Sequence, residues 1–166
     1  MRWSWIWLVV MACGGDDELC APVGDNLIGD GTFEQGLDCW TADGEGITVM
    51  TEGTGAPWIL IPGGEAGTPQ QSIRLVSSRF AMENDARMAI SFRAKASVQR
   101  NLWLHIESVD PVLIGYEHRL TLDPGWQDVN LVFASNAVAP NLALEFRVGE
   151  AVGDVEIDDV VLVNEP

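Results

Sequence analysis

Positive charge is scarce in this chain of 166 residues. Lysine and arginine together number 9, against 25 aspartates and glutamates, which gives a formal net charge of −16. A polyanion such as nucleic acid is repelled by that field, and an anionic membrane surface is disfavoured for the same reason. Neutral glycans and cations remain as ligand classes, although acidity can also simply keep an exported protein soluble.

The sequence also lacks the motifs of common catalytic and nucleotide sites. Its two histidines, His105 and His118, do not form the HExxH pattern of zinc proteases. There is no Gly-x-Ser-x-Gly nucleophile elbow and no Gly-x-x-x-x-Gly-Lys-(Ser/Thr) phosphate loop. No segment resembles a glycosidase motif, and glycosidases need two carboxylates about 5–9.5 Å apart. We therefore expect a protein that is not an enzyme.

The apolar run at the N-terminus is too short to span a membrane, which takes roughly 20 residues. It follows the single basic residue Arg2 and ends at Val10-Met11-Ala12-Cys13, which resembles a bacterial lipobox. The resemblance implies a lipoprotein signal peptide over 1–12, lipidation of Cys13, and an acidic tether over 13–25. An ordinary secretory signal that is cut elsewhere is the alternative. The resemblance therefore implies a lipid anchor in the bacterial cell envelope. In the sorting pattern of such lipoproteins, a glycine rather than an aspartate after the cysteine, here Gly14, implies the outer membrane or cell surface.

Cysteine is rare, and its odd count of three needs an explanation in an exported protein. If Cys13 carries lipid, Cys20 and Cys39 remain as one possible disulfide pair, and export permits that bond. Two buried free thiols are the alternative.

Apolar and polar residues alternate with period two along most of the body, as in strands with one buried face. Turn-forming residues separate these segments, and no long amphipathic helix is evident. Many short strands at even spacing predict one antiparallel sandwich or barrel. The predicted strands are Ile47–Thr51, Trp58–Ile61, Ser72–Ser77, Arg87–Lys95, Asn101–Glu107, Tyr116–Leu122, Asp128–Phe133, Asn141–Val148 and Val155–Val163.

Two segments near the ends of the chain carry a family resemblance. The first is NLIGDGTFEQG at 26–36, followed by Trp40, and the second is DVEIDDVVLV at 154–163. Together they resemble the opening and closing strands of CenC-type carbohydrate-binding modules of families 4, 9 and 22. The resemblance implies an all-β fold over 26–166, an antiparallel β-sandwich of the galactose-binding-like jelly-roll type with about nine or ten strands. It also implies non-catalytic binding of a polysaccharide or glycan.

A rival interpretation keeps the same sandwich but changes its task. Jelly rolls serve many unrelated functions, so a structural or adhesive surface protein could use this fold for protein contacts. An exposed Trp103 beside a polar cleft favours sugar binding, whereas a buried Trp103 on a flat face favours the rival.

Alternation also assigns side chains to faces. We expect a core that includes Leu104, Leu131 and Phe146, with Trp40 and Trp126 as structural tryptophans. Sugar sites combine an aromatic plane with planar polar groups, and in jelly rolls of this kind they occupy the outer face of one sheet. A solvated face with weak cross-strand ion pairs is the alternative. The predicted carbohydrate-binding residues are Trp103, His105, Glu107, Arg93, Glu145 and Arg147, with Tyr116 and Trp58 at the rim.

The resemblance further implies a structural calcium ion where the two ends of the domain meet. Hard cations take several oxygen ligands at about 2.3–2.6 Å. Thr32 and Glu34 of the opening segment, with Asp158 or Asp159 of the closing strand, are the predicted ligands. The alternative is that these carboxylates cap turns or accept backbone N–H groups.

Overall fold

The structure, a computed structural model, describes residues 20–53, 55–66, 69–82, 87–108, 116–134 and 139–165. The predicted signal peptide and Cys13 lie outside these residues. No helix in the described ranges is long and apolar enough to cross a membrane. In chain order the strands are β1 (Trp40–Asp43), β2 (Thr48–Met50), β3 (Trp58–Ile61), β4 (Arg74–Ser77), β5 (Phe80–Met82), β6 (Arg87–Ala96), β7 (Arg100–Ser108), β8 (Tyr116–Leu122), β9 (Gln127–Ala134), β10 (Ala139–Arg147) and β11 (Val155–Glu165), with one 3-10 turn at Gln70–Ser72.

These strands form two antiparallel sheets that pack face to face. Sheet I has the order β1-β4-β10-β7-β8, with β5 also paired to β10. Sheet II has the order β2-β3-β11-β6-β9. The predicted all-β jelly-roll sandwich is confirmed. The nine strands predicted from alternation and turn signals, from Ile47–Thr51 to Val155–Val163, are all present, and the short strands β1 and β5 are additional.

Inward-facing residues of both sheets fill the space between them. Phe92 of β6 contacts Phe146 of β10 edge to face, with ring centroids 5.1 Å apart. The inward residues predicted on β7 and β10 are buried, whereas Val129 and Leu131 of the edge strand β9 are only partly buried. The period-two alternation therefore identified the core residues. Val129 and Leu131 are only partly buried because β9 lies at the edge of sheet II.

The two tryptophans predicted to be structural have different environments. Trp40 is 5% exposed, and its indole N–H donates to the carbonyl of Asp30 at 2.9 Å, so that prediction is confirmed. Trp126 is 37% exposed, so its assignment to the core is wrong. Its ring lies over Arg93 and Lys95 on the outer face of sheet II. A tryptophan that follows a turn is placed by that turn, and its sequence position does not indicate burial.

Cys20 and Cys39 form a disulfide, with their Cα atoms 5.0 Å apart. This confirms the first of the two alternatives for these cysteines. The bond joins the start of the described chain to the residue before β1, and the chain-entropy model assigns such a crosslink about 3 kcal/mol of stabilisation.

The opening segment is fastened to the closing strand through Asn26. Its side-chain amide donates to the carbonyl of Val160 at 3.1 Å, and its side-chain oxygen accepts the N–H groups of Leu162 at 2.9 Å and Ile28 at 3.2 Å. The backbone N–H of Leu27 also donates to the carbonyl of Leu162 at 2.7 Å. One side chain therefore joins residues that are more than 130 positions apart in the chain.

The contact is made at a bulge in β11. The register between β11 and β6 shifts between Asp158 and Val161, and Asp159 has a φ of 52°. At the bulge the N–H of Val160 donates to the carbonyl of Gly31 at 2.8 Å. A Cβ atom at Gly31 would overlap the carbonyl oxygen of Val160, so this close approach requires glycine.

The opening segment itself consists of turns, and the prediction that it forms a strand is wrong. The carboxylate of Asp30 accepts the backbone N–H groups of Glu34 at 2.9 Å and Gln35 at 2.8 Å. Phe33 has a φ of 57° and is buried. Because the Asp30 side chain satisfies these donors locally, the backbone does not need a strand partner here.

Replacing Asn26 with alanine removes three hydrogen bonds and leaves partly buried backbone groups unsatisfied. We expect Asn26→Ala to lower the free energy of unfolding by about 2–4 kcal/mol. Asn26→Asp, which keeps the acceptor oxygens and loses the donor, is expected to lower it too. The matched control is the exposed Asn130→Ala, which is expected to change the value by less than about 0.5 kcal/mol. Denaturant unfolding measures all three, and a loss in Asn26→Ala no larger than the control contradicts the role of this contact.

Candidate functional site

Five of the predicted sugar-binding residues lie together on the outer face of sheet I. Trp103, His105 and Glu107 alternate outward along β7. On β10, Arg147 lies opposite Trp103, and Glu145 lies opposite His105. We call these five residues the Trp103 face. The face therefore combines an indole plane with charged and polar groups from the neighbouring strand.

Arg147 is the centre of an ion-pair network on this face. Its guanidinium lies 2.7 Å from the carboxylate of Glu145 and 2.6 Å from that of Glu107, and only 12% of its side chain is exposed. Arg74 extends the network, because its guanidinium is 2.9 Å from Asp43 and 3.6 Å from Glu145. These planar groups are thus held in fixed positions and present both donors and acceptors at the surface.

Two residues that the sequence did not single out hold Trp103. The indole N–H donates to a carboxylate oxygen of Glu150 at 2.6 Å. Arg119 lies opposite Trp103 on β8, and its guanidinium carbon is 5.6 Å from the ring centroid, a cation–π distance. Alternation along β8 carries a signal for the outward position of Arg119. Glu150 lies in the loop between β10 and β11, where no periodic signal exists.

The surroundings of His105 on this face favour its neutral form. Burial lowers its pKa, and the positive charge of Arg147 lowers it further, while the nearby carboxylates, Glu117 first, act in the opposite direction. Its Nε2 atom is 2.7 Å from a carboxylate oxygen of Glu117, which fits a neutral imidazole that donates this N–H. The same Nε2 atom lies 3.4 Å from the guanidinium of Arg147, so His105 joins the hydrogen-bonding groups of the Trp103 face.

One cavity opens at the Trp103 face and another lies next to the disulfide, and Arg79 lines both of them. The smaller cavity, about 210 Å³, is polar and contains carboxylates and guanidinium groups of the ion-pair network. The larger cavity, about 530 Å³, lies next to the disulfide. Arg79 precedes the short strand β5, and no motif or periodic pattern singles it out. The smaller cavity is lined by Arg74, Arg79, Glu107, Ser108 and Glu145.

The other three predicted sugar-binding residues lie away from this face. Arg93 belongs to β6 and Trp58 to β3, both in sheet II. Tyr116 lies opposite Ile106 on the inward side of sheet I, and its ring stacks on Phe133 of sheet II with centroids 5.0 Å apart. Alternation tells which face of a strand a side chain occupies, but it does not tell which sheet the strand joins. This explains why Arg93 and Trp58 lie apart from the Trp103 face, whereas Tyr116 lies in the same sheet and is apart because its side chain faces inward.

The predicted calcium ligands lie near the closure of the domain. Thr32 and Glu34 are exposed, and the opening segment that carries them does meet β11 at its bulge. Asp158 and Asp159 lie 3.7 and 3.5 Å from the guanidinium of Arg93. Burial, followed by the charge of Asp159, raises the pKa of Asp158. The positive charge of Arg93 therefore already balances part of the negative charge of these two carboxylates.

Within the described ranges, no group of three or more His, Cys, Asp or Glu side chains is arranged to hold a metal ion. The geometry therefore adds no support for calcium, which stays a prediction of the resemblance alone.

Comparison with solved structures supports the fold. A structure of a family 4 carbohydrate-binding module (CBM4) matches with a TM-score of 0.68 at 18% identity, covering 82% of this chain and 98% of that one. The fold is the jelly roll of carbohydrate-binding modules. The N-terminal cellulose-binding domain of β-1,4-glucanase C from Cellulomonas fimi matches this jelly roll with a TM-score of 0.62 at 22% identity, covering 87% and 97% of the two chains. TmCBM61, in complex with β-1,4-galactotriose, matches it with a TM-score of 0.61 at 13% identity, covering 86% of this chain and 100% of that one.

No protein-family model and no curated protein matches the sequence of this jelly roll. At these identities the solved structures establish the fold, and the function has to be argued from the residues of this chain.

The calcium prediction is tested by thermal unfolding. If the ion binds at the closure, the melting temperature is higher in excess calcium than in EDTA, because a ligand that binds only the folded state stabilises it. Asp158→Asn is expected to remove that difference, while Glu52→Gln, an exposed position in the loop before β3, keeps it. An equal melting temperature of the unsubstituted protein in calcium and in EDTA contradicts the prediction.

Proposed function

We propose that this protein binds a neutral polysaccharide or glycan through the Trp103 face and breaks no bond in it. The observation that carries the proposal is the placement of Trp103 within the fixed network of Arg147, Glu107 and Glu145. The similar structures include a cellulose-binding domain and a module bound to a galactotriose, which supports sugar as the ligand class.

The chemistry of the face suits a pyranose. A sugar ring can place its C–H surface on the Trp103 indole, while its hydroxyl groups donate to carboxylates and accept from guanidinium N–H groups. Trp103 is half-buried, and Glu150 fixes its orientation, so less conformational entropy is lost on binding. The formal net charge of −16 favours neutral chains over polyanionic ones.

The same network argues against glycoside hydrolysis at this face. A glycosidase places one carboxylic acid and one carboxylate on opposite sides of the scissile bond. Here Glu107 and Glu145 both contact the guanidinium of Arg147. They share one cation instead of facing each other across a substrate, which supports a binding role.

We further propose that lipid on Cys13 holds the module at the bacterial cell envelope. The lipobox-like Val10-Met11-Ala12-Cys13 supports this, as does the acidic stretch that follows and would separate the sandwich from the membrane. Cells fed radiolabelled palmitate should label the protein, and Cys13→Ala should abolish the label. Labelling that persists in Cys13→Ala contradicts the anchor.

The binding proposal is tested with the full chain in mild detergent against cellulose, xylan, β-1,4-galactotriose and a broad glycan panel. We expect a specific ligand whose binding at the Trp103 face is weakened about tenfold or more in Trp103→Ala, because a central aromatic contact is lost. Glu150→Ala should also weaken binding, while Glu150→Gln, which can still accept the indole N–H, should retain most of it.

Glu52→Gln is the control for a surface change away from the Trp103 face, and equal melting temperatures exclude unfolding as the cause of any loss. No binding by folded protein across the panel favours a structural or adhesive role with protein contacts. Binding that is unchanged in Trp103→Ala removes the Trp103 face as the site.

A further inference from the structure

The outer face of sheet II, on the opposite side of the sandwich from Trp103, carries the exposed indole of Trp126. Trp126 immediately precedes β9 and is 37% exposed. Its ring lies over two cations of β6, with the guanidinium carbon of Arg93 and the Nζ atom of Lys95 each 4.9 Å from the ring centroid. Since the two outer faces are separated by the core, this indole belongs to a different surface from the Trp103 face.

Carboxylates of the neighbouring strand fix both cations. Lys95 lies opposite Glu156 on β11, with an ion-pair distance of 3.0 Å. Arg93 lies opposite Asp158, and its guanidinium is 3.7 Å from that carboxylate and 3.5 Å from Asp159. The bulge in β11 places two consecutive acidic residues beside one arginine. The result is an indole plane beside paired guanidinium, ammonium and carboxylate groups, the same chemistry as on the Trp103 face.

Trp126 does not belong to the buried core. A tryptophan that supports the core is buried, as Trp40 is at 5% exposure, whereas Trp126 is exposed and its ring lies over Arg93 and Lys95. Val132 and Val161 are also exposed on this outer face, at 47% and 37%. These two valines lie opposite Ala89 and Ser91, toward the other end of β6, so the apolar surface beside Arg93 and Lys95 is the Trp126 ring itself. An exposed aromatic plane suits the weakly polar face of a sugar ring.

The charges of this surface favour a neutral ligand over a polyanionic one. Arg93 and Lys95 are outnumbered by Glu156, Asp158 and Asp159, so a polyanionic chain meets net repulsion here as well. A neutral chain with hydroxyl groups can donate to the carboxylates and accept from the cations.

We propose that the surface formed by Trp126, Arg93, Lys95, Glu156 and Asp159, with the buried Asp158 beside Arg93, is a second glycan-binding site. This inference rests on the proposed function, because the same class of ligand binds at both faces. The two sites point away from each other, so one protein molecule holds two separate polysaccharide chains and crosslinks them. Multivalent binding of this kind raises the avidity for polymers without any new contact.

Stoichiometry with short probes tests the inference. Isothermal titration calorimetry of the full chain uses cellohexaose, xylohexaose and β-1,4-galactotriose, each too short to reach around the sandwich. We expect two probe molecules per protein, one per protein in Trp126→Ala, one in Trp103→Ala, and none in the double variant. A stoichiometry of one that is unchanged in Trp126→Ala overturns the second site and leaves the Trp103 site standing.

Polymer crosslinking provides an independent measurement. The unsubstituted protein should make a soluble xylan or cellulose derivative turbid, and each single tryptophan variant should lose this property while it still binds the polymer. Glu52→Gln is the matched control that retains it. Turbidity that persists in Trp126→Ala overturns the inference, whereas failure of every probe and polymer to bind removes the proposed function together with it.

Discussion

The contact between the opening segment and the bulge of β11 is the constraint on which the rest of the structure depends. β11 is the central strand of sheet II. Asn26 and Gly31 form hydrogen bonds to it at the point where its register to β6 shifts. A bulge turns side chains toward a different face. Here it brings Asp158 and Asp159 together beside Arg93, so the closure of the domain also determines the outer surface of sheet II.

Ion pairs on the outer faces contribute mainly to orientation. Exposed pairs are typically worth less than about 1 kcal/mol, and Arg147 differs from them because its side chain is largely covered and bound by two carboxylates. Such a network holds donors and acceptors in place before a ligand arrives, which lowers the entropy lost on binding. Glu150 does the same for the Trp103 ring through a single hydrogen bond.

Sequence reasoning succeeded where one local rule controls the outcome. Alternation predicted the strands and the core, and it placed Trp103 and His105 outward. It failed where the answer depends on which strands become neighbours, as for Arg93, whose strand joins the other sheet. Trp126 and Glu150 lie in or beside loops, whose geometry is decided by the elements they connect rather than by their own residues.

The scarcity of basic residues makes their placement informative. Arg100 is buried and donates to the carbonyls of Val148 and Gly153, and burial lowers its pKa. In the described part of the chain, the remaining basic side chains lie on or beside the outer faces of the two sheets. Most of them face carboxylates on a neighbouring strand, so the faces carry paired donors and acceptors together with part of the surplus of negative charge. A surface of that kind attracts no polyanion from a distance, but it offers a neutral polyhydroxylated chain partners of both polarities once the chain is in contact. These basic residues are Arg74, Arg79, Arg87, Arg93, Lys95, Arg119 and Arg147.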